Sequence, residues 1–184
     1  MLTEKKKQYD EAVIYIIDSS AILSGKPLPL DQQQCWTAEE ISNEFSVGGS
    51  SYRMFQYLRE KGLSLHHPTE ESKKMIHDTI KRMGEGFRLS SADQAILALA
   101  VDVRNVEKKK AIILTDDYSI QNIASVLNIA FQPILQTGIT KTFKWIRRCR
   151  GCGRILSNDE SDCKICGSPA RFVVDKQVTQ KHKK

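Results

Sequence analysis

The sequence predicts an α/β domain with a central, mostly parallel sheet flanked by helices, followed by a small C-terminal zinc ribbon. Three observations carry this expectation. Short β-branched apolar runs alternate with helical segments. Two of those runs end in acids, "AVIYII" in Asp18 and "AIIL" in Thr115-Asp116-Asp117. Four of the five cysteines form two C-x-x-C pairs near the C-terminus. At 184 residues the chain has room for one main domain and an appended module.

Residues 12–17 read as a buried strand, because the run is short, β-branched and does not alternate. "GKPLPLDQQQ" follows as a loop, since two prolines and a glycine break any helix. "TAEEISNEF" (37–45) is expected to be helical, "SVGGSS" a connection, and "YRMFQYLREK" (52–61) an amphipathic helix whose Tyr52, Phe55 and Leu58 face a core or interface. "LSLHH" reads as a strand stopped by Pro68, and a helix is expected over 69–83. In "LSSADQAILALAVDVR" the apolar residues at 92, 95, 96, 99, 100 and 103 have the spacing of a core helix. "AIILTDD" (111–117) is a second strong strand. The helix "YSIQNIASVLNI" then leads to a short strand near 129–131.

The net charge of +6 is uneven: residues 1–148 carry 20 Lys+Arg against 18 Asp+Glu, and residues 149–184 carry 8 against 4. The C-terminal module is thus the more basic, which suits a polyanionic partner. The longest apolar run, "AILALAV" at 95–101, is far short of the roughly 20 residues that span a bilayer, so no membrane association is expected. "EKKK" followed by "QYDE" lacks the apolar core of a signal peptide, and a cytoplasmic location is expected.

Ligands of such sheets bind beyond the carboxyl ends of the strands. Asp18, Asp116 and Asp117 end strands, Asp93 opens a helix, and Glu44 lies in the segment after the first loop. Singly, each has an ordinary explanation: Asp116 and Asp117 can cap the helix at Tyr118, and Ser90 with Asp93 forms a capping-box pattern. Jointly they form a cluster of like charges that a hard divalent cation relieves, since Mg²⁺ or Mn²⁺ prefers oxygen ligands. A P-loop is excluded because "SGKP" lacks the first glycine and has Pro27 at the Ser/Thr position, and no G-x-S-x-G elbow surrounds Ser19 or Ser20. His66 and His67 read as a half-exposed pair.

Cys149, Cys152, Cys163 and Cys166 are the strongest signal. "CRGCG" and "CKICG" place a glycine after the second cysteine, where a knuckle needs φ > 0 and amides close to sulfur. Zinc is favoured over two disulfides, because cytosolic thiols stay reduced and so short a module cannot fold on its apolar core alone. Lys144, Trp145, Arg147, Arg148, Arg150, Arg154, Lys164 and Arg171, with Phe172 among them, offer phosphate contacts and stacking surfaces for RNA. Cys35 stands alone as an incidental thiol.

On "IIDSSAIL", "TAEEISNEF", "LSSADQAILALA" and "ILTDDYSIQNIA" followed by the ribbon, nearly the whole chain resembles the PIN-domain endonucleases of the Nob type, with an archaeal-like length. The resemblance implies a PIN-like nuclease domain at 1–138, a zinc ribbon with its basic linker at 139–174 and a basic flexible tail at 175–184. It implies catalysis by Asp18, Glu44, Asp93, Asp116 and Asp117, with Asp18, Asp93 and Asp117 as the Mg²⁺ or Mn²⁺ ligands. The T-x-D pattern from Thr115 favours Asp117 over Asp116, and Ser19 and Thr115 would support the acids. The implied reaction is cleavage of precursor small-subunit rRNA to its mature 3′ end, within the pre-small ribosomal subunit and with assembly factors as partners. The alternatives are a noncatalytic RNA-binding assembly factor and a toxin-type PIN ribonuclease.

Overall fold

β1 (Val13–Ile17), β2 (Gln34–Ala38), β3 (Ser64–His66), β4 (Lys110–Leu114) and β5 (Ala130–Gln132) form one sheet in the order β3-β2-β1-β4-β5, with every pairing parallel. The computed structural model describes residues 13–30, 34–175 and 180–181. Between the strands lie α1 (Ser19–Leu23), a 3₁₀ helix (Glu39–Glu44), α2 (Ser50–Glu60), α3 (Glu70–Met83), α4 (Ser91–Asn105) and α5 (Tyr118–Val126). β1 and, after Lys110, β4 are apolar because both faces are covered: Ile14, Ile16 and Ile17 of β1 and Ile113 of β4 are fully buried.

α4 explains the longest apolar run. Ala95 to Val101 are all buried, as expected of a helix that is hydrophobic on all sides and packed within a core rather than on its surface. No described helix is long and apolar enough to cross a membrane. Ser90 caps α4 with a complete capping box: the Asp93 amide donates to Ser90 Oγ at 3.1 Å, and the Ser90 amide donates to Asp93 Oδ2 at 2.7 Å. The predicted core face of α2 is also present, with Phe55 and Leu58 buried and Phe55 stacked on Phe45.

One expected helix differs. Thr37 and Ala38 belong to strand β2, and only Glu39–Glu44 turns, as a 3₁₀ helix. The glutamates of this segment favour a helix locally, but Cys35, Thr37 and Ala38 are buried between β1 and β3, and Thr37 Oγ1 donates to the Ile17 carbonyl at 2.7 Å. Tertiary pairing overrides a weak helical preference. Cys35 is thereby a core residue, its thiol pushed up to about 11 by burial.

The ribbon is a three-stranded antiparallel sheet in the order β8-β7-β9, with β7 at Trp145–Cys149, β8 at Ile155–Leu156 and β9 at Ala170–Val174. Ahead of it, β6 (Lys141–Thr142) pairs with β10 (Gln180–Lys181). Of the predicted tail, only Asp175, Gln180 and Lys181 are among the described residues. Buried Asn122 of α5 accepts from the Phe143 amide at 2.7 Å and donates to the Phe143 carbonyl at 2.8 Å, holding the linker to the main domain. Gly84 closes α3 at φ +71, and a Cβ there would run into the Trp145 carbonyl, so the two modules meet at a glycine.

Candidate active site and metal centre

The register of the sheet brings the first acid to the second strand. Ile17 is level with Leu114, so Asp18 and Thr115 leave the edge side by side, and the Asp18 amide donates to the Leu114 carbonyl at 3.2 Å. Asp18 is only 2% exposed and caps α1. Its Oδ1 accepts from the Ser19 amide at 2.7 Å; its Oδ2 accepts from Ser20 Oγ at 2.6 Å and Thr115 Oγ1 at 2.8 Å. The predicted Thr115 support is present, and the second hydroxyl belongs to Ser20, Ser19 contributing its backbone. Burial pushes the Asp18 carboxyl above its usual range; the two hydroxyls and the amide oppose that shift, and the charge of Asp93 adds to it.

Asp93 opens α4, and its charge is felt at Asp18. Asp93 is half-buried and spends one oxygen on its capping box. Asp117 caps α5, its Oδ1 accepting from the Ser119 amide at 2.6 Å and the Ile120 amide at 3.2 Å, while its own amide donates to Thr115 Oγ1 at 3.0 Å. Asp116 turns the other way and binds the amides of Ile134, Leu135 and Gln136. Desolvation works against its ionised form, but the three amides outweigh it and hold the carboxyl below its usual range. Asp116 thus anchors the chain after β5, while Asp117 stays beside Thr115 and Asp18.

Glu44 stands exposed in the last turn of the 3₁₀ helix. Glu40, in its first turn, is half-buried with Oε2 enclosed and without a hydrogen-bond partner. Among the described residues, no three carboxylates converge within the 4.8 Å at which the four cysteine sulfurs do. Asp18 and Asp117 lie at an open sheet edge rather than in a closed cage. Such an edge fits a cation that keeps several waters and takes only one or two protein carboxylates.

Sequence reasoning missed Glu85, 2% exposed in the turn between α3 and α4. Its Oε1 accepts from Asn122 Nδ2 at 2.7 Å and Trp145 Nε1 at 3.1 Å, while Arg88 Nε lies 3.5 Å from Oε2. Burial raises its pKa; Asn122, Arg88 and Trp145 oppose the rise, and the charge of Asp117 adds to it. Arg88 also donates to Ser119 Oγ at 2.9 Å, so this network reaches the residue whose amide donates to Asp117. The only trace in the sequence is the polar pair Gln121-Asn122 between the isoleucines of α5, and both residues are buried.

In the ribbon, the sulfurs of Cys149 and Cys166 are 3.4 Å apart and those of Cys152 and Cys163 3.7 Å. A tetrahedron of zinc–sulfur bonds has edges of about 3.8 Å, so the four side chains fit a tetrahedrally bound cation. Gly153 and Gly167 have φ +73 and +68, as the knuckles require. The hydroxyl and amide of Ser168 bring the Cys166 thiol down to about 6, and the amides of Ile165 and Cys166 lower Cys163. Both trends favour the thiolate that a metal binds, whereas Cys152, although the Arg154 amide lowers it, is pushed up to about 11 by the neighbouring sulfurs of Cys149, Cys163 and Cys166.

The predicted RNA-binding residues divide by location. Arg150, Arg154, Lys164 and Arg171 are exposed, and Lys164 pairs with Glu160 at 2.8 Å. Lys144, Trp145, Arg147 and Arg148 are half-buried. Trp145 packs at the module seam, its ring centroid 6.0 Å from that of Phe87 and 5.0 Å from the Arg88 guanidinium. Arg148 donates to the Gly153 carbonyl at 3.0 Å. His67 pairs with Glu39, and His66 stacks on Trp36, in keeping with ordinary structural histidines.

The family model described as the PIN domain of ribonuclease matches residues 15–103, a span holding Asp18, Glu44 and Asp93. Endoribonuclease Nob1 of Methanothermobacter thermautotrophicus is 35% identical over 155 residues, covering 83% of this chain and 88% of the relative. Endoribonuclease Nob1 of Archaeoglobus fulgidus is 34% identical over 158 residues, or 85% and 89% of the two chains. Ribonuclease VapC1 of Thermoplasma acidophilum is 33% identical over 165 residues, or 90% and 80%.

Proposed function

Because the chain belongs to the Nob1 family of PIN-domain endoribonucleases, we propose that it cuts precursor small-subunit rRNA to its mature 3′ end during ribosome assembly. The observation that carries this reading is the pairing of a carboxylate edge around Asp18, Asp93 and Asp117 with a four-cysteine ribbon on one chain. The nuclease domain is assigned to about 1–138 and the ribbon, which grips RNA, to 139–174. The substrate is then the pre-small ribosomal subunit, met in the cytoplasm.

Zinc is the structural ion of the four cysteines. Mg²⁺ or Mn²⁺ held by one or two of Asp18, Asp93 and Asp117 would polarise the phosphodiester and lower the pKa of a bound water. The side chains around it have their own tasks. Ser20 and Thr115 hold Asp18 in one orientation, so that it needs no reordering when a cation arrives. Thr115 also ties Asp117 to Asp18 through the Asp117 amide, and Asp116 fixes the neighbouring loop.

The test is cleavage of a labelled RNA spanning the 3′ end of small-subunit rRNA and its trailer, with Mg²⁺ or Mn²⁺. A single cut at the mature end, reduced at least a hundredfold in Asp18→Asn, is the expected result. Tight binding without a cut would point to a noncatalytic assembly factor. Cuts in unrelated RNAs with growth arrest would point to a toxin-type nuclease.

A further inference from the structure

Between α3, the start of α4 and the ribbon lies a cleft of about 450 Å³, apart from the acids and the four cysteines. This volume falls in the range of small-ligand sites, roughly 300–1,000 Å³. Its aromatic wall is Phe87 and Phe172, stacked with centroids 3.7 Å apart, yet Phe87 remains 49% exposed. Its cations are Lys81, exposed on α3, and Arg147 of β7, against one acid, Asp159. The Arg147 guanidinium lies 4.7 Å from the Phe172 centroid, and its Nε is buried without an acceptor although Arg147 Nη1 donates to the Glu160 carbonyl at 2.9 Å.

Two covalent neighbours tie this cleft to the acids. Gln94 lines it and follows Asp93 in the chain. Phe87 precedes Arg88, which donates to Ser119 Oγ, and the Ser119 amide donates to Asp117. An exposed aromatic wall with flanking cations is the chemistry that takes a flat base and its phosphate.

We propose that this interdomain cleft is a nucleotide subsite, in which one unpaired RNA base stacks on Phe87 while Lys81 and Arg147 contact the adjoining phosphate. It rests on the reading of the chain as a nuclease of single-stranded precursor RNA and names how that RNA is held beside the acids. Both modules line the cleft, so the ribbon serves as one wall of the substrate site as well as a separate grip.

The experiment uses the full-length, zinc-loaded protein without added Mg²⁺ or Mn²⁺. A set of single-stranded oligoribonucleotides spanning the rRNA 3′ end each carries 2-aminopurine at one position. The expected result is quenching on binding at one or two adjacent positions only, lost in Phe87→Ala together with at least about fivefold of affinity. Lys81→Gln should weaken binding, lower the salt slope by about one, and keep the quench. Quenching that is uniform along the RNA, or unchanged in Phe87→Ala, overturns the proposal.

Should Phe87→Ala lose zinc or melt earlier, Lys81→Glu on the exposed helix face carries the test, and wild-type affinity in that variant overturns the proposal. Cleavage by the wild type in Mg²⁺ is scored separately. No cut combined with a Phe87-dependent quench removes the maturation reading and leaves the subsite standing. A cut at the mature end with wild-type binding and quench in Phe87→Ala does the reverse.

Discussion

The sheet domain and the ribbon are held together by different physics. The buried cluster of the sheet domain extends from Ile14 to Ile129 and includes most of α4, whereas the ribbon buries Cys149, Leu156 and Cys163 with Ala170 packed against them. The first can fold on apolar burial. The second has too little of it, and its four sulfurs form a set that a metal ion can draw together. The difference teaches why the ribbon leans on its neighbour through Gly84, Phe87 and Glu85: a module without a core gains orientation from the domain that has one.

The largest expected effect is therefore metal removal. Chelation, or Cys149→Ser with Cys166→Ser, should abolish the one structural metal equivalent and amide-exchange protection in β7–β9, a loss on the order of 10 kcal/mol of binding-coupled folding. β1 and β4 should stay protected. Simultaneous loss in both modules, seen by hydrogen exchange, would break the comparison. Next, Leu97→Ala at the fully buried centre of α4 should cost the sheet domain about 2–5 kcal/mol by denaturant unfolding, with metal content unchanged. Ser90→Ala removes the α4 cap and should cost about 1 kcal/mol in the same assay.

The smallest effects are two opposite pH slopes within the sheet domain. Asp18 has a raised pKa, so its stabilising contribution is complete below the unfolded value of about 3.9 and fades as pH rises through the folded value. Asp116 has a lowered pKa, so its contribution is present above about 3.9 and is lost as pH falls. The stability gap between wild type and Asp18→Asn should accordingly narrow from pH 4 to pH 7, and the gap for Asp116→Asn should widen. Calorimetric unfolding of the two variants at both pH values checks this, and slopes of the same sign would contradict the assigned environments.

Much of this was legible because it is local. The core face of α4, the capping box at Ser90, the two strands ending in acids and the knuckle glycines depend on residues within a few positions of one another. Thr115 was legible as a support because it immediately precedes Asp116 and Asp117 in a strand-end motif. Strand β2 was not, since five residues between a loop and a glutamate-rich turn carry too little periodicity to outweigh local preference. Glu85 was hidden for a different reason: an acid between two glycines in a turn looks solvated until a distant helix and the ribbon close over it.

The sequence by itself determined the alternation of strands and helices, the positions of the acids at their ends and the tetrahedral cysteine set, because each follows from side-chain period, chain stiffness or ligand spacing. Long-range packing is what holds Asp18 between Ser20 and Thr115, turns Asp116 to a loop while Asp117 stays at the edge, and joins the modules through Glu85, Trp145 and Phe87. Those outcomes depend on register and burial between residues far apart in the chain, and burial is a property of the assembled surfaces rather than of any segment.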